Sequence, residues 1–237
     1  MVSGTGEMEE TYNLSTRERA LLYTRSTGVL PAMKLKKDER PEEVLEWVWA
    51  MYRGGARVVE ITMTSPGALE HFRTLSAEFG DRLLVASGTT LDAAAARDAI
   101  MAGARIVVSP AVVPEVIATA HRYGVACYSG AFTATECLSA MQLGADMVKI
   151  FPAALGGPAY MTNLKMVYPE ISLIPSGGIS LENAGDFIRH GASAISGARN
   201  FFDRETVAAM GTNWITEQVE QYIEIVARAR RESTPLP

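Results

Sequence analysis

Two ionisable residues stand inside short apolar runs of the chain. Lys149 interrupts Met147-Val148-Lys149-Ile150-Phe151, and Glu60 interrupts Val58-Val59-Glu60-Ile61-Thr62. Both runs are too short for globular helices, so they read as buried strands. Side chains alternate across a strand. Lys149 and Phe151 therefore share one face, with Val148 and Ile150 on the other; Val58, Glu60 and Thr62 likewise oppose Val59 and Ile61. In a barrel the purely apolar faces would meet helices, and Lys149 and Glu60 would point inward. Desolvation there disfavours the ammonium form of lysine, and a neutral amine is what attack on a ketone carbonyl requires. A carboxylate in the same pocket suits proton transfer. A structural ion pair would use the same two residues, and position alone leaves both readings open.

The elements that must position this pair announce themselves by a repeat. A helical stretch is followed by Gly, a small residue, one more residue and a short apolar run. The phrase occurs at Gly55-Ala56-Arg57, Gly103-Ala104-Arg105, Gly124-Val125-Ala126, Gly144-Ala145-Asp146 and Gly191-Ala192-Ser193. Glycine supplies the left-handed turn that ends a helix. The first and last spacings are about twice the others, and each hides one more unit, Leu83 to Gly88 and Ile171 to Gly177. Val29 to Leu35 adds a strand at the start. Eight strands are thus expected near residues 29, 58, 83, 105, 125, 147, 172 and 193. Eight regular strand–helix units predict an α/β fold, a (β/α)8 TIM barrel; an open doubly wound sheet would break the repeat at a switch point. The division expected is an N-terminal extension with a helix (1–28), the barrel (29–212), and a closing helix and tail (213–237). Asn13 or Ser15 is positioned to cap the first helix.

The 237 residues are ordinary for one such barrel. With 48% hydrophobic and 21% charged residues the chain is globular in character. A net charge of −5 gives no reason to expect a nucleic-acid partner. No apolar run suits a membrane span, and the acidic, polar N-terminus lacks a secretory pattern. Cys127 and Cys137 lie outside any CxxC or Cys/His cluster, so neither a disulfide framework nor a metal site is expected. His71, His121 and His190 are expected on exposed helical faces. A cytoplasmic location and no cofactor are the resulting expectations.

Barrels of this kind place their sites at the C-terminal ends of the strands. The ends here are Glu60 to Thr64, Ser87-Gly88-Thr89, Ser109-Pro110, Ser129-Gly130, Lys149 to Pro152, Ser176-Gly177-Gly178 and Ser196-Gly197-Ala198-Arg199. The last two resemble anion-binding loops, in which bare backbone N–H groups hold a phosphate. Ser176, Gly177, Gly178, Gly197, Ala198 and Arg199 are the candidates.

In this order the segments Val59 to Thr62, Ser87 to Thr89, Ser109-Pro110, Lys149 to Pro152 and Pro175 to Ile179 resemble the 2-keto-3-deoxy-6-phosphogluconate (KDPG) / 4-hydroxy-2-oxoglutarate (KHG) aldolases, class I lyases, over roughly residues 28–210. The resemblance implies a Schiff base on Lys149 with a 2-keto acid substrate, Glu60 as general acid/base acting through a bound water, Thr89 holding the pyruvate carboxylate, and Pro110 and Phe151 as pocket walls. It also implies phosphate at Gly177, Gly178 and Gly197, no metal, and a homotrimer. Thr64 stands where many members carry a carboxylate-binding Arg, Ala154 where a Glu is common, Ala198 where a Ser is common, and Lys34 where some carry an Arg toward the distal end. The pyruvate end is intact in this comparison and the far end is altered. A phosphosugar-binding isomerase or epimerase barrel, or a non-catalytic aldolase-like binding protein, are the alternatives.

Overall fold

The computed structural model describes residues 14–198 and 201–233. Helix α1 (Thr16–Thr27) opens with a reciprocal cap. The Glu18 N–H donates to Ser15 Oγ at 3.3 Å, and the Ser15 N–H donates to the Glu18 carboxylate at 2.9 Å. Asn13, the other candidate cap, lies outside the described residues, as do Arg199 and the tail from 234.

Strands and helices then alternate: β1 (Val29–Met33), α2 (Pro41–Arg53), β2 (Val58–Thr62), α3 (Ala68–Phe79), β3 (Leu84–Gly88), α4 (Ala93–Met101), β4 (Ile106–Val108), α5 (Pro114–Arg122) and β5 (Ala126–Ala131). They continue with α6 (Ala134–Gln142), β6 (Met147–Ile150), α7 (Ala153–Val167), β7 (Leu173–Pro175), α8 (Ala184–Arg189) and β8 (Ile195–Gly197), followed by α9 (Arg204–Met210) and α10 (Asn213–Glu232). The strands pair in parallel in the order β7-β6-β5-β4-β3-β2-β1-β8. A parallel bridge between Ser176 and Ser196 joins β7 to β8 and closes the (β/α)8 barrel. Each strand begins within two residues of its expected position. The five glycines of the recurring phrase, Gly55, Gly103, Gly124, Gly144 and Gly191, all have positive φ, as helix-ending turns require.

Strand alternation sorts the barrel into two layers. Val59, Ile61, Val85, Val148 and Ile150 face outward into the large core shared with the helices. Leu30, Val58, Leu84, Ile106, Tyr128 and Ile174 fill the interior, and Ala20, Leu21 and Tyr23 of α1 pack with them. Helix α1 is therefore a stopper in the N-terminal end of the barrel. The Tyr128 hydroxyl, fully buried, donates to the Ala20 carbonyl at 3.2 Å and shares a 2.7 Å hydrogen bond with Thr24. Arg17 donates from Nε to Asp146 at 2.6 Å, and the same carboxylate accepts the Cys127 N–H at 2.8 Å. Helix α10 is tied to the same end by Arg230, which donates to the carbonyls of Ser26 in α1 and Ser193 ahead of β8.

Two sequence expectations meet the packing here. His71 is buried in α3 rather than exposed, because α3 turns it toward the loop at Gly67; burial pushes its pKa down. Cys127 and Cys137 are both free and buried, and burial pushes their thiols up to about 12 and about 11. Neither is a ready nucleophile.

Candidate active site

Glu60 and Lys149 face each other across the barrel interior from β2 and β6. Their side chains are 3% and 10% exposed, and Lys149 Nζ lies 2.9 Å from Glu60 Oε2 and 3.1 Å from Oε1. The two inward directions expected from alternation hold. The amine sits within reach of both carboxylate oxygens, so a proton can pass directly between them. Register sets their neighbours: Glu60 pairs with Ala32 on β1 and Ala86 on β3, and Lys149 with Gly130 on β5 and Ile174 on β7. Small residues flank Glu60 on both sides and Lys149 on the β5 side, which leaves both long side chains room.

The pair forms the floor of a cavity of about 560 Å³ at the C-terminal ends of the strands, and among the described residues lining it only these two carry charge. Thr89, Pro110, Phe151, Ser176, Gly177, Gly178, Gly197 and Ala198, all named from the sequence, line it as well. Phe151 forms part of the rim and remains 47% exposed.

Thr64 and Lys34 do not line the cavity; both are exposed. Alternation would have aimed them inward, but it lapses where each strand ends. After Thr62 the chain turns, with the Ser65 N–H on the Thr62 carbonyl at 2.9 Å, and Thr64 is left bonded to Thr62 Oγ1 at 3.0 Å on the rim. After Met33 the chain leaves β1, and the Lys34 carbonyl accepts from Arg204. The inner positions on those strands are Thr62 and Ala32. Thr62 and Ser109 stand among the strand ends without an assigned role, and Ala32, Val108 and Ile179, which also line the cavity, are not selected by sequence reasoning. The alternation that aims Glu60 inward puts Thr62 on the same face.

The loops above the pair are tightly determined. Thr89 has φ 54, an uncommon conformation for a β-branched residue. Its neighbours enforce it: the Met63 N–H donates to the Gly88 carbonyl at 2.7 Å, and the Thr90 N–H to the Val108 carbonyl at 3.0 Å. Holding Thr89 this way aims a pocket residue at the cost of about 1–3 kcal/mol of backbone strain. Gly88 has a different reason to be glycine. A Cβ there would stand 2.2 Å from Glu60 Oε1, so the carboxylate occupies the space a side chain would need. Gly88→Ala is expected to leave the fold standing, since a flexible carboxylate can swing aside, and to lower kcat by about 10²-fold, typical of a displacement near 1 Å. Turnover measured beside a thermal melt checks this; an unchanged kcat would mean that the placement of Glu60 does not matter.

A (β/α)8 barrel with a buried lysine–carboxylate pair at the floor of its C-terminal pocket has the architecture of an imine-forming lyase. The model of the KDPG and KHG aldolase family matches residues 23–218, and the chain belongs to that family. A 2-dehydro-3-deoxy-phosphogluconate aldolase of Treponema pallidum is 33% identical over 199 residues, covering 84% of this chain and 93% of that protein. Among solved structures, one described as native KDPGal superposes with a TM-score of 0.78 at 26% identity, covering 86% of this chain and 96% of its own. A cube-shaped, porous cage designed by fusing symmetric oligomeric domains gives a TM-score of 0.79 at 26% identity, covering 86% and 74%.

Proposed function

We propose that the protein reversibly cleaves a 2-keto-3-deoxy-6-phospho sugar acid, or 4-hydroxy-2-oxoglutarate, to pyruvate and an aldehyde through a Schiff base on Lys149. The observation that carries this reading is the contact between Lys149 Nζ and both Glu60 oxygens at the floor of an otherwise uncharged described lining. Transfer of the ammonium proton to Glu60 frees the amine to attack the C2 ketone. The carbinolamine oxygen takes protons through Glu60 and leaves as water, giving a protonated imine. Glu60 then accepts the C4 hydroxyl proton; the C3–C4 bond breaks, its electron pair flows into the imine, and the aldehyde departs. Protonation of the enamine at C3 and hydrolysis of the imine release pyruvate and restore the lysine.

Thr89 hydrogen-bonds the substrate carboxylate in this reading, Pro110 and Phe151 wall the imine, and the Ser176-Gly177-Gly178 and Gly197-Ala198 loops receive the phosphate. Arg199, the other phosphate-site candidate, lies outside the described residues. Thr64 and Lys34, on the rim, meet only the outer part of a substrate. The protein works in the cytoplasm as a homotrimer; no described helix is long and apolar enough to cross a membrane, and the cage relative is built from symmetric oligomeric domains.

Incubation with pyruvate and borohydride, followed by intact-mass measurement and peptide mapping, tests the reading. A reduced pyruvate adduct on Lys149 is expected. Folded protein that takes no adduct would reject it and favour a phosphosugar isomerase or a non-catalytic barrel.

A further inference from the structure

We propose that Asn183 is a positioning residue that sets recognition of the far end of the substrate by clamping the Gly177-Gly178-Ile179 turn. This rests on the reading above that the pocket cleaves a 2-keto acid.

The turn is built from two successive glycines at φ 85 and φ 80. Both are required: a Cβ on Gly178 would stand 2.5 Å from the Ala154 Cβ, and one on Gly177 would stand 3.1 Å from the Phe151 ring. Two adjacent glycines are also the most permissive backbone a chain can have, so a pocket edge made from them keeps one shape only if its peptide planes are held. Three are held by their carbonyls. Ser176 and Gly177 accept the N–H groups of Ala153 and Ala154 at 2.8 and 3.0 Å. Gly178 accepts from the Asn183 side-chain amide at 2.8 Å. The Asn183 side-chain oxygen in turn accepts the Ser180 N–H at 2.8 Å. One side chain thus fixes the peptide planes on both sides of Ile179, which itself lines the cavity.

Asn183 stands just before α8, where a helix cap would be its ordinary role. Its side chain makes no capping bond to that helix; both polar groups are given to the turn. It does not line the cavity, so it acts through the loop. Lys149 and Glu60 lie on other strands, so pyruvate chemistry should be indifferent to it. A loss confined to remote binding raises KM and leaves kcat in place.

The test compares Asn183→Ala and Asn183→Asp with wild type on two substrates, 2-keto-3-deoxy-6-phosphogluconate and 4-hydroxy-2-oxoglutarate, and in borohydride trapping with pyruvate. Aspartate is as good a helix cap as asparagine and still accepts the Ser180 N–H, but it has no donor for the Gly178 carbonyl. Both variants are expected to raise KM on the better substrate by about tenfold or more, with kcat and the pyruvate trapping rate within a few-fold of wild type. An Asn183→Asp variant that behaves as wild type while Asn183→Ala fails would assign Asn183 to helix capping and overturn the proposal. So would unchanged KM in both, or a parallel fall in pyruvate trapping. Wild type that traps no pyruvate and cleaves neither acid would remove the aldolase reading itself, and the clamp with it; wild-type turnover with indifferent variants removes only the clamp.

Discussion

Lys149→Ala is expected to lose at least ~10⁴-fold in turnover and to form no borohydride-stable adduct, since removal of the covalent nucleophile removes the pathway rather than tuning it. The substitution also leaves Glu60, 3% exposed, without its partner. Breaking a buried pair costs about 3–5 kcal/mol when the remaining charge stays ionised, so a loss of activity could reflect a loss of fold. A Lys149→Met/Glu60→Gln double variant removes both charges and keeps the volume. It is expected to melt close to wild type and remain inactive. A folded Lys149 variant that retained most of its turnover would end the imine mechanism.

Glu60→Gln is the second large effect. Glutamine keeps the shape, and its one side-chain oxygen can still accept from Lys149 Nζ, so one of the two contacts at 2.9 and 3.1 Å should persist; the amide nitrogen is a donor and cannot replace the other. What disappears is the ability to carry a proton. A fall in kcat of about 10²–10⁴-fold is expected, with slower adduct formation from pyruvate as well, because carbinolamine dehydration uses the same group. Pre-steady-state trapping and steady-state turnover measured on one preparation check both. An unchanged kcat would reduce Glu60 to the structural partner of the lysine.

Much of this site was legible because two periodicities report different things. The Gly–small–X phrase marked five of the strands directly, since a glycine in the left-handed region ends the helix before each of them, and its spacing revealed two more. The period of two then aimed Glu60 and Lys149 inward. Both signals fail where the chain stops being extended. Thr64 and Lys34 sit one step beyond the reach of alternation, and their placement depends on tertiary bonds such as the Ser65 N–H on Thr62 and the Arg204 side chain on Lys34. Val108 and Ile179 were equally hard to select, because an apolar residue that walls a pocket looks like one that fills a core. The strand-end rule reached Thr89, but its role came only from the family resemblance, and nothing local in Ser87-Gly88-Thr89 betrays a positive φ. The same holds for Asn183, whose two partners are backbone atoms of its own loop.

The stopper formed by α1 has a kinetic consequence. With Ala20, Leu21 and Tyr23 packed into its lower end, the barrel formed by the described residues is entered from the C-terminal ends of its strands, and traffic there must queue. In the proposed reaction pyruvate stays tethered at the floor while the aldehyde lies between it and the exit. The aldehyde leaves first on every turnover, and in the synthetic direction pyruvate must enter first. Free pyruvate then competes with the full-length acid for the empty enzyme, whereas the aldehyde meets only the loaded one.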